Sequence, residues 1–484
     1  MTAGQRRMRG VPAVAAADPI GAVEAAIGGG RSQGGRSRHT VATDFLSAPL
    51  TPALRRLGVL YGLYLCFTSL RIQEVITALA IPKLPMAMAL ALAAGLVSAV
   101  PGSGWTALWR AAPALRWQTL LVVLAIVTVP LSIWVGNSVD QLYPGYFISV
   151  TVFLAGIALL RDRASMVRIL LILLGALVVI TSIIFFGGGG AAGRIGLGSS
   201  LDSNDYAWVL ATCIPIALWL GVRRKATAIL WFGVAILLAL GIVRTQSRGG
   251  FLALLAMAVV LISFGATGWR RVAMFVAIAV LGAGVLAYID ASGASRLTDF
   301  SGYTGGTGRT ELWKQGIRWM VQRPWGYGMG NYATYNVWMT RDYHAGHSAY
   351  VNIGVELGVL GAVAYFAIWI GAARGVLTAR RNAIAALGQP GAAEEATLLG
   401  FMVAMMAGNA VGSAFINTQY SALTLFVQAL ATAAWLGSPF RGAAPPTVAA
   451  APANGQRPGR GGAVIRGVSA AAAVPPGRHE GRNR

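Results

Sequence analysis

The chain has 484 residues, of which 56% are hydrophobic and 11% are charged, and its mean hydropathy is +0.63. Soluble domains carry about a quarter charged residues, so this composition excludes an ordinary soluble enzyme and a disordered chain and indicates that the bilayer is the main solvent. The 39 lysines and arginines against 16 acidic residues give a net charge of +23, and the placement of the basic residues decides what that excess means.

Arginine-rich segments with an Ala, Gly and Pro background flank the apolar part of the chain at residues 1–56 and 438–484. They bury too little apolar surface to fold, so they are predicted to be disordered basic cytoplasmic tails around a transmembrane domain at residues 57–437. The N-terminal sequence lacks the pattern of a cleaved signal peptide. For the tails, adhesion to anionic lipid is favoured over nucleic-acid binding. Cys66 and Cys213 lie in apolar runs and suggest neither a disulfide framework nor a metal cluster.

Apolar runs separated by short polar breaks fill the predicted transmembrane domain. A bilayer about 30 Å thick is crossed by about 20 helical residues. The runs therefore predict an all-α fold, a polytopic membrane helical bundle of about 12 transmembrane helices. The predicted spans are centred on residues 54–70, 84–100, 117–135, 145–160, 167–186, 205–221, 226–243, 249–266, 270–289, 348–372, 396–413 and 419–437.

Basic residues are unevenly distributed among the breaks between these spans. Cytoplasmic loops carry an excess of Lys and Arg, so the richer set of alternate loops is predicted to be cytoplasmic, with both tails on the same side. The longest break, residues 290–347 between spans 9 and 10, then lies on the outer, periplasmic face. The richer set holds Arg110, Arg116, Arg161, Arg163, Arg168, Arg223, Arg224, Lys225, Arg270, Arg271, Arg374, Arg380 and Arg381, and the poorer set holds Arg71, Lys83, Arg194, Arg244 and Arg248.

Arg194 lies in a glycine-rich break on the predicted outer face, shortly before Asn204. An arginine at that end of a span runs against the orientation bias and needs water, a carboxylate or a phosphate near it. The glycines match a G-x-G-x-x-G pattern, but they follow a membrane span and not a strand, which disfavours a dinucleotide site. A loop whose glycines let Arg194 approach a bulky polar ligand is the preferred interpretation.

Arg244 and Arg248 flank a Thr-Gln-Ser segment between two spans, and a continuing helix would place both on one face. Two neighbouring guanidinium groups need an anion between them, and the planar fork of arginine suits the oxygens of a diphosphate. The alternative is that these side chains extend to lipid phosphates, and this alternative suits Arg244 better than Arg248.

The long outer break contains a predicted amphipathic helix that begins near Arg309 and lies on the outer leaflet. A glycine-rich turn, Gly326-Tyr-Gly328-Met-Gly330, follows it. The apolar stripe of the helix is predicted to hold Leu312, Trp313, Gly316, Ile317 and Met320, and the polar stripe Lys314, Gln315, Arg318 and Gln322.

His344 and His347 are the histidines near this polar region, since the other two lie in the tails. No further His or Cys completes a metal site beside Asp342, so no metal is predicted. A titrating base near the membrane surface is the favoured role for the pair. Glu356 would lie half a turn from His347 on a regular helix, so it is interpreted as a packing or supporting group and not as the direct partner of His347.

Taken together and in this order, the motifs resemble the O-antigen ligase and polymerase superfamily of bacterial inner-membrane glycosyltransferases, over about residues 57–437. The Arg71-Ile-Gln-Glu74 segment is similar to a branch associated with exopolysaccharide systems. The matching motifs are Arg194 followed by Asn204, which has Ser203 where many members have Pro; Ser247-Arg248-Gly249; Gly308-Arg309 to Trp313; Gly326-Tyr-Gly328-Met-Gly330; and His347-Ser-Ala-Tyr-Val with Glu356-Leu-Gly358 and Gly361.

The resemblance implies a metal-independent, cofactor-free, inverting glycosyltransferase of surface polysaccharide biosynthesis, whether lipopolysaccharide or exopolysaccharide. Such an enzyme transfers an oligosaccharide from undecaprenyl diphosphate to a hydroxyl of a glycan, lipid or protein acceptor, in the bacterial inner membrane and on its periplasmic face. The implied roles are diphosphate binding by Arg194 and Arg248 and base catalysis by His347, with Arg244, Arg309, Asn204, His344 and Glu356 as substrate-binding candidates.

Two other functions remain open from the sequence. A repeat-unit polymerase of the same superfamily differs only in using another lipid-linked repeat as its acceptor. A lipid-linked oligosaccharide flippase or another transporter is expected to carry charges near the membrane midplane, often in repeated halves. The apolar runs here contain few ionisable groups and no evident repeat, which disfavours transport.

Overall fold

The computed structural model describes residues 45–46, 48–186, 196, 202–265, 276, 309–341 and 346–441. Every regular element within these ranges is helical, which confirms the predicted all-α class. The longer helices are α1 (Pro52–Thr68), α2 (Leu84–Ala99), α3 (Gly102–Ala111), α4 (Pro113–Val127), α5 (Val135–Leu159), α6 (Arg163–Phe186), α7 (Ser203–Arg223), α8 (Lys225–Thr245), α9 (Arg248–Gly265), α10 (Arg309–Gln322), α11 (Tyr332–Thr340), α12 (Ala349–Ala385), α13 (Ala392–Ser413) and α14 (Ala422–Leu436).

The apolar helices confirm a multi-pass membrane protein. Among the described residues, 6 helices (α5, α6, α7, α8, α12 and α13) are long and apolar enough to cross a membrane, and α2 with α3 forms a further candidate bent by 101°. Helices α4, α9 and α14 are apolar but shorter. Each predicted span overlaps a helix except the ninth, residues 270–289, which apart from Val276 lies outside the described residues. The total of about 12 spans therefore stays a prediction.

The folded part of the chain extends past the bounds predicted for the transmembrane domain. Leu46 and Leu50 are buried, and the guanidinium of Arg161 donates to the carbonyls of Leu46 at 3.2 Å and Ala48 at 2.9 Å. At the other end Phe440 is buried as well. Apolar residues outside 57–437 thus also pack against the bundle, and the bounds of the transmembrane domain stay a prediction. The rest of the tails lies outside the described residues.

Helix α7 lies at the centre of the bundle, where it packs against α8, α9 and α13. Helix α8 lies at the periphery, and its Ile229 is 91% exposed and its Ile236 60% exposed. Apolar side chains that face outward to this extent suit contact with lipid, which is as apolar as they are.

Two ion pairs join the first residue of α6 and the last residue of α7 to the start of α13. Arg223 Nε lies 2.8 Å from Glu394 Oε1, and Arg163 pairs with Glu395. Both arginines belong to the loops that the basic-residue bias predicts to be cytoplasmic. Because α7 has 21 residues and so spans about 30 Å, its first residues lie at the opposite end of the bundle.

Helix α12 is interrupted at Gly358, which has φ +74° and ψ −172°. In a continuous helix the N–H of Val359 donates to the carbonyl of Val355. Here the Val359 N–H donates instead to the carbonyl of Pro324 at 2.8 Å, and the Val355 carbonyl accepts from the N–H of Tyr327 at 2.9 Å. The backbone groups that the break releases are therefore paired again by a neighbouring turn.

That turn, residues 324–330, contains three glycines that adopt positive φ between +76° and +92°. Glycine reaches this region without the steric cost that a Cβ imposes. A Cβ on Gly326 would collide with the carbonyl of Glu356, and one on Gly328 would collide with Ser132. The glycine-rich motif is thus required by the close approach of the turn to α12 and to the chain before α5.

We expect Gly358→Ala to destabilise the protein strongly. The conformation of Gly358, φ +74° and ψ −172°, is adopted almost only by glycine and costs another residue about 1–3 kcal/mol. The added Cβ would also collide with the Pro324 carbonyl, for a total loss of about 3 kcal/mol or more. The measurement is the midpoint of thermal unfolding of the detergent-solubilised protein.

Gly391→Ala is the matched control, because Gly391 has φ +80° with nothing within 4 Å of its hypothetical Cβ. It should lose only the backbone contribution. Equal losses for the two variants would show that the docking of the turn on α12 adds nothing to stability.

Candidate active site

A cavity of about 530 Å³ opens at the end of the bundle that holds the start of α7. Its walls come from residues 67–73 at the end of α1 and after it, the start of α2, the middle of α5, the start of α7, residues 330–333, the first two turns of α12 and residues 417–422 at the start of α14. These segments all border breaks that the basic-residue bias predicts to be on the outer face. Segments that are far apart in sequence therefore meet in one polar cavity, at the opposite end from the two arginine–glutamate pairs.

Glu356 is buried at the cavity wall, just before the break in α12. The Nε2 group of Gln419 lies 3.4 Å from its Oε2 atom, and the backbone N–H groups of Gly330 and Tyr332 donate toward the same carboxylate. Tyr420 also lies beside it. Tyr420 and Glu356 both line the cavity.

Asn331, fully buried, fixes the glycine-rich turn to the chain that leads into α5. Its Nδ2 group donates to the hydroxyls of Ser132 at 2.6 Å and Ser138 at 2.9 Å. Ser138 in turn donates to the carbonyl of Met329 at 2.9 Å. Asn137 completes the contact, with its Nδ2 group 2.8 Å from the Gly330 carbonyl oxygen. The turn is therefore held from two sides, by α12 and by residues 132–138.

A second, small recess adjoins the cavity and is lined by Asn204, Ser247, Gly249 and Arg309. The Ser247 hydroxyl donates to Oδ1 of Asn204 at 2.9 Å, which ties the start of α9 to the start of α7. Trp208 lines both the recess and the cavity. The structure thus brings together Asn204, the Ser-Arg-Gly motif and Arg309, which the sequence separates widely.

Arg244 and Arg248 belong to different helices. Helix α8 ends at Thr245, Gln246 takes a left-handed φ of +52°, and α9 begins at Arg248. The helix does not continue, so the predicted common face does not form. Arg244 is exposed, with its guanidinium 5.4 Å from the centre of the Phe185 ring. Arg248 is half-buried and adds its charge to the positive end of α9, whose Gly250 N–H donates to the Ser247 hydroxyl at 3.2 Å.

His347 lies just before α12, half-buried and with φ +45°. The preceding carbonyl, that of Gly346, accepts from the indole Nε1 of Trp313 at 2.9 Å. The Trp313 ring packs on Phe415 with 6.2 Å between centroids, and Phe415 lines the recess. The His347 segment is therefore held beside the recess through Trp313.

Helix α10 confirms the predicted amphipathic helix, but its buried stripe differs from the prediction. Ile317 is 52% exposed, whereas Trp319 is buried. The Trp319 ring makes edge contacts with Tyr332 and Tyr335, at 5.6 Å and 4.8 Å between centroids. The aromatic contact with α11 turns the helix, so the placement of Ile317 in the buried stripe is wrong. The position of α10 on the outer leaflet stays a prediction.

Two candidate residues, Arg194 and His344, lie outside the described residues. The sequence interpretation also missed several side chains at the cavity wall. Part of this wall could have been predicted from the amide-rich segment between the last two spans, because that segment lies on the predicted outer face. The missed residues are Arg71, Gln73, Asp205, Asn352, Asn417, Gln419 and Tyr420.

The hydrogen bond between Ser247 and Asn204 should appear as energetic coupling in a double-mutant cycle. We expect Asn204→Ala and Ser247→Ala to couple by about 1 kcal/mol, since either change alone removes the same bond. The measurement is the free energy of unfolding in a detergent titration.

Ser247→Ala with Ser98→Ala is the control pair, because the Ser98 hydroxyl bonds only within its own exposed helix turn. The losses of this pair should add. Additive losses for Asn204 and Ser247 would contradict the link between α7 and α9.

The comparison with known families bears on the same segments. The profile of the family described as O-Antigen ligase matches residues 233–366, a stretch that contains Arg244, Arg248, Arg309, His347 and Glu356. No curated protein matches the chain. The matched stretch runs from α8 to the part of α12 beyond its break, and it supports the O-antigen ligase superfamily that the motifs resemble.

Proposed function

We propose that this protein transfers a glycan from undecaprenyl diphosphate to an acceptor hydroxyl on the periplasmic side of the bacterial inner membrane. The observation that carries the proposal is the convergence of Asn204, Ser247, Gly249 and Arg309 in a recess beside a polar cavity. The match of residues 233–366 to the O-antigen ligase family supports a lipid-linked glycan donor and an acceptor in general.

The donor diphosphate is assigned to the surface at the mouth of the recess, because the recess itself has a volume of about 10 Å³ and holds no more than a water molecule. Arg248 at the N-terminus of α9 and Arg309 at the N-terminus of α10 each combine a guanidinium with the positive end of a helix. Diphosphate oxygens suit this combination, because arginine forms charge-assisted bidentate bonds with them. Arg194, whose position is not described, is proposed to join this group, and Arg244 is proposed as an outer contact for the diphosphate.

The transfer is a single displacement at C1 of the donor sugar. His347 accepts the proton of the acceptor hydroxyl, the acceptor oxygen forms a bond to C1, and the bond from C1 to the phosphate oxygen breaks, with inversion at C1. Undecaprenyl diphosphate leaves with the bonding electrons, and Arg248 and Arg309 stabilise its added charge. No metal takes part in this scheme. His344 and Glu356 are proposed to contact the substrates, and Asn204 to position the diphosphate through Ser247.

The acceptor decides between the ligase and polymerase forms of this reaction. A repeat-unit polymerase adds the growing glycan to another lipid-linked repeat, whereas a ligase adds it once to a lipid, glycan or protein. Purified protein supplied with a lipid-linked oligosaccharide and a separate acceptor separates them: a ladder of products indicates the polymerase and a single addition indicates the ligase. We propose the ligase-type transfer as the primary activity.

Arg248→Ala and His347→Ala should each lower the rate of glycan transfer by about 100-fold or more. Arg248 stabilises the charge that develops on the leaving diphosphate, and His347 accepts the proton of the acceptor hydroxyl, so each acts in the transition state. Arg309→Ala should lower it by about tenfold as a helper. The measurement is single-turnover transfer from a lipid-linked oligosaccharide by the full chain in lipid nanodiscs.

Arg318→Ala is the matched control, since Arg318 is an exposed arginine on the same helix as Arg309. It should transfer at the unaltered rate. If correctly inserted Arg248→Ala and His347→Ala proteins transfer glycan as fast as this control, the proposed mechanism is wrong.

A further inference from the structure

The cavity and the recess differ in charge. Asp205 and Glu356 are carboxylates at the cavity wall, and Arg71 is the basic residue there among the residues that the structure describes. Arg71 is itself paired, with its Nη1 atom 3.2 Å from Oε1 of Glu74. The described wall of the cavity is therefore acidic, while the recess beside it contains Arg309.

The cavity wall is also rich in hydrogen-bond acceptors. Buried oxygens of Ser69, Gln73, Asn352 and Gln419 have no hydrogen-bonding partner among the described residues. The orientation of the Gln419 amide follows from Glu356, because its Nε2 group faces the carboxylate and leaves Oε1 as the unpaired atom. Buried acceptors without a donor are costly, so this wall favours a ligand that supplies hydroxyl or N–H donors.

We propose that this cavity is a glycan subsite that accepts uncharged, amino or acetamido sugars and rejects sugars that carry a carboxylate. The assignment rests on the proposed glycosyl transfer. Hydroxyl and amide N–H groups of a sugar satisfy the wall amides and the two carboxylates, whereas a uronate would bring a third carboxylate toward Asp205 and Glu356. The volume of about 530 Å³ lies within the range of pockets that hold small ligands.

Trp208 separates the two charged regions, since its side chain lines both of them. The indole is buried and is held by a hydrogen bond of 3.2 Å from Nε1 to the carbonyl of Asn409. A lipid-linked sugar laid across Trp208 places its diphosphate on the side of Arg309 and its ring on the side of Asp205 and Glu356. The selection against anionic sugars therefore acts on the glycan and leaves diphosphate binding intact.

The sign of the potential in the cavity can be measured without any substrate. Ala333, a half-buried residue of the cavity wall, is replaced in an Ala333→Cys variant, and its rates of modification by cationic and anionic methanethiosulfonates are compared. Cys66 and Cys213 are buried, so the unaltered chain provides the blank. Gln322→Cys, on the exposed end of α10, is the reference site.

The cationic reagent should be favoured at Ala333→Cys by roughly tenfold over the reference at low ionic strength, and the preference should fall at about 1 M salt. Adding Asp205→Asn or Glu356→Gln should reduce the preference severalfold. Asp205→Asn, in the first turn of α7, keeps the test valid if Glu356→Gln unfolds the protein. A preference equal to or below that of the reference overturns the acidic cavity.

The ligand is tested by protection of the same cysteine from an uncharged thiol reagent. Diacetylchitobiose, a neutral acetamido disaccharide, should slow the modification of Ala333→Cys, and digalacturonate should need at least about tenfold higher concentration for the same effect. Asp205→Asn should narrow that difference. Equal protection by the two disaccharides, or protection by neither, overturns the subsite. Neither readout requires glycan transfer. A failure of these tests therefore contradicts the glycan subsite, whereas an unaltered enzyme that does not transfer glycan contradicts the proposed reaction.

Discussion

Where α12 breaks at Gly358, two backbone hydrogen bonds that a continuous helix keeps within itself pass to the turn at residues 324–330. Backbone groups shielded from water must be paired, so the turn and the helix fix each other's position. The same break leaves the Glu356 side chain at the cavity wall, where the N–H groups of Gly330 and Tyr332 reach its carboxylate. The arrangement of the cavity thus follows from how the turn pairs the backbone groups that the break in α12 releases.

The start of α7 divides the site into two regions of different chemistry. Asn204 faces the recess with Arg309, and Asp205, the next residue, faces the cavity with Glu356. Neighbouring residues on a helix point about 100° apart, so one turn of α7 can contribute to both regions. Trp208, one turn further, forms the wall between them. A molecule with an anionic end and a hydroxyl-rich end is best bound by such a divided site, because a uniform electrostatic potential cannot favour both ends.

The sequence was sufficient to predict the helical class, the position of most spans and the motifs that form the recess, because these depend on local hydrophobicity and on motif order. It was insufficient for the cavity wall. Asn352 and Gln419 are polar residues near the ends of predicted apolar spans, and only their hydrogen-bonding neighbours distinguish them from surface residues. Likewise the left-handed Gln246 separates Arg244 from Arg248, and the aromatic contacts of Trp319 turn α10. Such tertiary effects leave no period in the sequence.

The first two turns of α12 are held at both ends and in the middle. The Trp313 indole holds the carbonyl of Gly346 before the helix, Asn352 donates to the Oδ1 atom of Asn417 at 2.7 Å, and the turn holds the break. His347 and Glu356 lie near the two ends of this segment, so they move together. A chemical group and a binding group on one rigid element keep their separation, which preorganises a site. A substitution that shifts the turn at residues 324–330 should therefore also move His347, even if the substituted residue contacts no substrate.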